Sequence, residues 1–136
     1  MTQPDDTTET ILIRGAAIEG AAAVDLVLEG GRIAETGRGL SRAGATVIDA
    51  EGLIALPGLV DLHTHLREPG YEASETILTG SRAAAAGGYT AVFAMPNTSP
   101  VADTAGVVEQ ELALGEAAGF VTVQPVGAVT VGQKGE

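Results

Sequence analysis

The strand and helix alternation that begins at Leu59 constrains this chain more than any other feature. From there "LVDLHTHL", "YTAVFAMP" and "FVTVQPVGAV" read as strands, and the intervening "SETILTGSRAAAAGG" and "DTAGVVEQELALGEAAG" each hold a helix. Strands separated by helix-length segments are too far apart for tight hairpins, so the pattern predicts an α/β unit, a parallel sheet with crossover helices. The punctuation agrees. Pro57-Gly58 and Pro69-Gly70 bracket the first strand, and Gly87-Gly88 closes the first helix. The second helix is expected to start from an Asp103 N-cap and stop at Gly119, with Glu109 and Glu111 on its charged side. Tyr89 and Met95 read as core or rim packing.

The residues before this point have a different grammar. "ILIRGAAI" and "VDLVLEGGRIAETG" are short β-like runs, and Glu29, Gly30 and Gly31 mark a tight turn, so a small antiparallel sheet is expected. "GRGLSRAGATVIDAEG" reads as a Gly- and Ala-rich connection into "LIALPG". The expected organisation is a small β-domain over residues 1–56 and an α/β unit over 57–136, truncated at its C-terminus. Only about three strands of a parallel sheet are foreseen, and "TVGQKGE" ends as a loop; a closed eight-unit barrel takes about 250 residues. The chain is therefore expected to be the N-terminal part of a longer protein. No solenoid-period repeat occurs.

Charge and composition narrow the function. With 7 basic against 18 acidic residues the net charge is −11, which repels a phosphate backbone and argues against nucleic acid as a partner. The chain has no cysteine, so a bound metal would need imidazole and carboxylate ligands. Its start, "MTQPDDTTET", is polar and acidic, unlike a secretion signal, and no apolar run nears the roughly 20 residues that span a bilayer. A soluble, cytoplasmic protein without membrane contact is expected.

Both histidines of the chain fall in "PGLVDLHTHLREPG". On a strand Asp61, His63 and His65 project to one face, where two imidazoles can hold one metal ion jointly and an acidic neighbour can orient an imidazole from behind. Taken alone, the pair reads more readily as half-buried strand histidines satisfied by hydrogen bonds, because the spacing is weakly specific. In the same way Arg67 could pair with Glu68, and Asn97 could be a turn residue before "TSP".

Together, "PGLVDLHTHLREPG" and the later "AAAAGGYTAVFAMPNTSP" resemble the opening of the amidohydrolase superfamily, most closely the class I dihydroorotases, and the resemblance covers nearly the whole chain. It implies a small N-terminal β-domain followed by the first strands and helices of a metal-dependent (β/α)8 (TIM) barrel, incomplete in this chain. It implies His63 and His65 as ligands of a zinc centre of one or two Zn2+ ions. Arg67 would hold the substrate carboxylate, and Asn97 of "MPNT" would be a second substrate-binding residue. The remaining ligands and the catalytic aspartate are expected beyond residue 136, so this segment alone should not turn over, and Lys134 is read as a loop lysine rather than a bridging ligand. The implied reaction interconverts N-carbamoyl-L-aspartate and (S)-dihydroorotate in pyrimidine (UMP) biosynthesis, by a homo-oligomer with aspartate transcarbamoylase as a candidate partner. The rivals are a hydantoinase or allantoinase, which would need no carboxylate-capturing arginine, and a non-catalytic dihydroorotase-like subunit that supports aspartate transcarbamoylase.

Overall fold

The computed structural model describes residues 9–135. Most of the polar chain start, and Glu136, lie outside the described residues. The chain divides between Pro57 and Gly58 into two units.

The first unit is a five-stranded sheet of β1 (Ile11–Ile18), β2 (Ala23–Glu29), β3 (Arg32–Gly37), β4 (Thr46–Asp49) and β5 (Ile54–Ala55), in the order β3-β2-β1-β4, with β5 also on β1. The hairpin from β2 to β3 turns on Gly30 and Gly31, both at positive φ (59° and 69°), as a two-residue loop that matches strand twist requires. Its buried apolar residues are Leu12, Ala16, Leu26, Val27 and Ala50. The expected purely antiparallel sheet is corrected: β1 to β2 and β2 to β3 are antiparallel, but β4 and β5 run parallel to β1. "TVID", read as part of a connection, is β4. All four of its residues are exposed, so it carries no inside-outside alternation to announce a strand.

The second unit has β6 (Leu59–Thr64), β7 (Tyr89–Ala94) and β8 (Thr122–Pro125) as a parallel sheet in sequence order, with α1 (Ile77–Ala86) and α2 (Ala105–Ala118) as the crossovers. Leu66, Ile77, Val92, Ala94 and Val123 form its core, and Tyr89 packs at the margin of it. Thr76 caps α1 by accepting the Thr79 N–H, while the Thr79 hydroxyl answers the Thr76 N–H. Gly115 brings α2 close to β8: a Cβ there would lie 2.6 Å from that of Val123. Among the described residues no helix is long and apolar enough to cross a membrane.

Two expectations about α2 are corrected. Its N-cap is Thr104, not Asp103, whose carboxylate accepts the Gly132 N–H at 2.6 Å. Glu111 is not on a charged face. It is fully buried, in one stripe with Val107 and Gly115 at successive i, i+4 positions. Gly119 ends the helix in the left-handed region (φ 68°), as expected.

Candidate metal and substrate site

The parallel pairing of β6 and β7 puts Thr64 opposite Ala94, so the segments that follow both strands leave from the same edge of the sheet. The Met95 N–H donates to the Thr64 carbonyl at 2.8 Å and holds the two exits together. His65 follows one exit and Asn97 the other. The His65 Nδ1 lies 2.8 Å from the Asn97 Oδ1. The rings of His63 and His65 approach edge to face, with centroids 5.2 Å apart at 69°.

Asp61 does not sit behind an imidazole. Its Oδ1 accepts the backbone N–H of His63 at 3.0 Å, and its Oδ2 the Thr64 hydroxyl at 3.5 Å. The β6 to β7 register shifts between Asp61 and Thr64, where His63 occurs. Alternation also stops short of Arg67. The strand ends at Thr64, and Arg67 takes a left-handed φ of 64°, uncommon for a side-chain-bearing residue. Arg67 nonetheless meets Asn97: with Tyr71 and Ser74 they line a cavity of about 320 Å3. No ion pair joins Arg67 to Glu68 among the described residues; the Glu68 carboxylate instead accepts the Ile77 N–H at 2.8 Å, at the start of α1.

The loop returns sharply after Arg67. Gly70 (φ 99°) lies so close to the next strand's exit that a Cβ would come within 2.2 Å of the Ser99 carbonyl oxygen. The glycine of "REPG" therefore has a backbone task that no other residue could perform unstrained. Sequence reasoning missed Tyr71 and Ser74 as cavity walls. Neither residue type nor spacing marks them, because the wall exists only once this loop has turned back. A second cavity of about 360 Å3 touches Asp61, His63, His65 and Glu75. Lys134 follows a single 3-10 turn (Val131–Gln133) and is exposed.

Imidazole nitrogens suit a divalent transition-metal ion. The rings of His63 and His65 lie beside one another, and the Nδ1 of His65 is engaged by Asn97. Among the described residues no three His, Asp or Glu side chains gather closely enough to hold a metal, so the imidazoles stand as a pair.

The chain superposes on L-hydantoinase (dihydropyrimidinase) from Arthrobacter aurescens with a TM-score of 0.73 and 23% identity, over 90% of this chain and 28% of that one. The family itself follows from sequence: the model of the dihydro-orotase-like family matches residues 52–136, and the chain belongs to that family. It is 73% identical over 94% of its length to a dihydroorotase of Leifsonia xyli subsp. xyli, and 61% identical over 91% to one of Streptomyces coelicolor. It spans 29% of the length of each of these curated relatives.

Proposed function

We propose that the protein is a dihydroorotase, opening and closing the cyclic amide that relates (S)-dihydroorotate to N-carbamoyl-L-aspartate, with the β6-β7-β8 sheet as the first strands of a (β/α)8 barrel. Relatives named dihydroorotase at 73% and 61% identity support this reading. The observation that carries it is the meeting of Arg67 and Asn97, from two separate motifs, around one cavity next to a paired imidazole.

The substrate is anionic and the chain has a net charge of −11, so attraction must be local. Arg67 is exposed and has no carboxylate partner among the described residues. Its planar fork matches a carboxylate bidentately, which a lysine would not. Asn97 adds amide donors at the same cavity. His63 and His65 would hold zinc. When bound, zinc supplies Lewis-acid polarisation of the ring carbonyl and lowers the pKa of water. Around it the chain's own task is positioning: fixing the substrate carboxylate sets the ring's orientation, and with it which amide bond faces the imidazole pair. Hydrolysis breaks the ring C–N bond, adds hydroxyl to the carbonyl carbon and gives the nitrogen a proton; the reverse reaction expels that water.

Substitution at Arg67 tests the reading. Losing a charge-assisted bidentate contact costs on the order of 2 to 5 kcal/mol. Arg67→Met in the full-length protein should thus lower kcat/KM for dihydroorotate by at least about 30-fold, while hydrolysis of uncharged dihydrouracil and zinc content stay nearly unchanged. Equal loss on the charged and uncharged rings, or no loss at all, would reject Arg67 as the carboxylate anchor and favour a hydantoinase-type substrate.

A further inference from the structure

Arg67 and Glu68 are neighbours in the chain, yet they serve different cavities. Arg67 lines the one it shares with Asn97, and Glu68 lines another, of about 330 Å3, with Thr76, Leu78 and Leu114. The Glu68 Oε2 accepts the Ile77 N–H at 2.8 Å. Ile77 opens α1 and is buried in the core of the unit, so the carboxylate is held by a fixed point. α1 has no acidic residue in its first turn, and the Thr76 hydroxyl is taken by the Thr79 N–H, so Glu68 supplies the negative group that a helix start favours.

That tie bears on Arg67. A left-handed backbone at a side-chain-bearing residue persists only where its surroundings hold it. Three hydrogen bonds hold this one (φ 64°): the Tyr71 N–H donates to the Arg67 carbonyl at 2.9 Å, the Ser99 N–H to the Pro69 carbonyl at 3.0 Å, and the Ile77 N–H to Glu68. Only the last uses a side chain. It also occupies the carboxylate next to Arg67 in the chain, which, if free, would compete with an anionic ligand for the guanidinium. We infer that Glu68 is a positioning residue for Arg67: by binding the first N–H of α1 it holds the turn that carries Arg67 and keeps its own charge off the guanidinium. The inference deepens the dihydroorotase reading and rests on Arg67 as the carboxylate anchor.

Full-length Glu68→Ala and Glu68→Gln test it, each alone and combined with Arg67→Met. Glu68→Ala should lower kcat/KM for dihydroorotate at least about tenfold, with hydrolysis of uncharged dihydrouracil and zinc content within about twofold of wild type. Glu68→Gln keeps an oxygen for the Ile77 N–H and should lose less than about threefold. In the Arg67→Met background Glu68→Ala should add less than about twofold, because the group it positions is gone. Equal loss on charged and uncharged rings, Gln falling as far as Ala, or an undiminished loss in the Arg67→Met background overturns the inference, as does full kcat/KM in Glu68→Ala. The tie itself is read without substrate. Exchange of the Ile77 amide should accelerate at least about tenfold in Glu68→Ala while Val92 and Val123 stay protected, and unchanged exchange at Ile77 overturns the anchoring. Failure of the anchor reading would look different, as Arg67→Met alone leaving dihydroorotate turnover intact. That result ends the substrate duty of Glu68 as well, and Ile77 exchange still decides its tie to α1.

Discussion

In the N-terminal unit Asp25 is buried and both of its carboxylate oxygens are engaged, by the Gly15 and Leu40 N–H groups at 2.9 Å each. In the C-terminal unit Glu111 is buried more completely, and neither of its oxygens has a partner. The surfaces repeat the contrast. Arg42 ties Glu29 and Glu35 together at 3.0 and 2.9 Å in the first unit, whereas Arg67 in the second faces a cavity without a carboxylate beside it. Asp25 and Arg42 of the first unit are consumed in holding backbone and neighbours in place. In the second, Arg67 faces its cavity without a carboxylate partner among the described residues, so a ligand can engage it. Glu111 shows that unpaired polarity is not by itself a site: it lines no cavity with the histidines, and its effect is on stability.

The largest difference between the two carboxylates should appear with pH. Burial pushes Glu111 up from 4.5 to about 7; the nearby Thr98 hydroxyl gives its proton to the Pro100 carbonyl at 2.7 Å and leaves Glu111 unpaired. Between pH 4.5 and about 7 the folded state keeps a proton that the unfolded chain has released. Stability of the C-terminal unit therefore falls as pH rises through this window, by on the order of 3 kcal/mol in all, and the loss is complete above it. Glu111→Met should remove that slope and leave the unit more stable than wild type at alkaline pH. Residue-resolved hydrogen exchange at Val92 and Val123 reads this directly, without assuming that both units unfold together. A wild-type unit equally stable at both ends of the window would mean that Glu111 is solvated.

Asp25 should respond with the opposite sign and a smaller effect. The Leu40 and Gly15 amides hold its carboxyl below the ordinary 3.8, so its contribution is present above that pH and is lost as pH falls through the folded value. Asp25→Ala strands both amides, and their exchange should accelerate at least about tenfold, with the C-terminal unit unaffected. Unchanged protection at Gly15 and Leu40 would show that water replaces the carboxylate there.

Much of the second unit was legible in the sequence because its signals are local. Gly87-Gly88 and Gly119 stop helices by backbone conformation, and β6 and β7 are strand-length runs separated by one helix-length segment. The first unit was read less well, since the pairing of β4 with β1 joins segments far apart in the chain and β4 has no buried face. In the site, neither the register shift between Asp61 and Thr64 nor the left-handed backbone of Arg67 can be read from strand alternation. The closeness of His65 to Asn97 depends on two neighbouring strand exits, which no spacing within either motif encodes. Glu111 was readable after all: its i+4 relation to Val107 marks a buried position, and only the habit of sending glutamate to solvent hid it.

Joint metal holding by His63 and His65 is tested most directly by the zinc content of the full-length protein after exhaustive dialysis, beside that of His63→Ala. Wild type should keep stoichiometric zinc, and the variant should lose the ion at this pair together with nearly all dihydroorotate turnover, because removing one imidazole leaves the other unable to fix the ion. Undiminished zinc and turnover in His63→Ala would contradict this account and leave His63 a strand-end residue satisfied by its own neighbours.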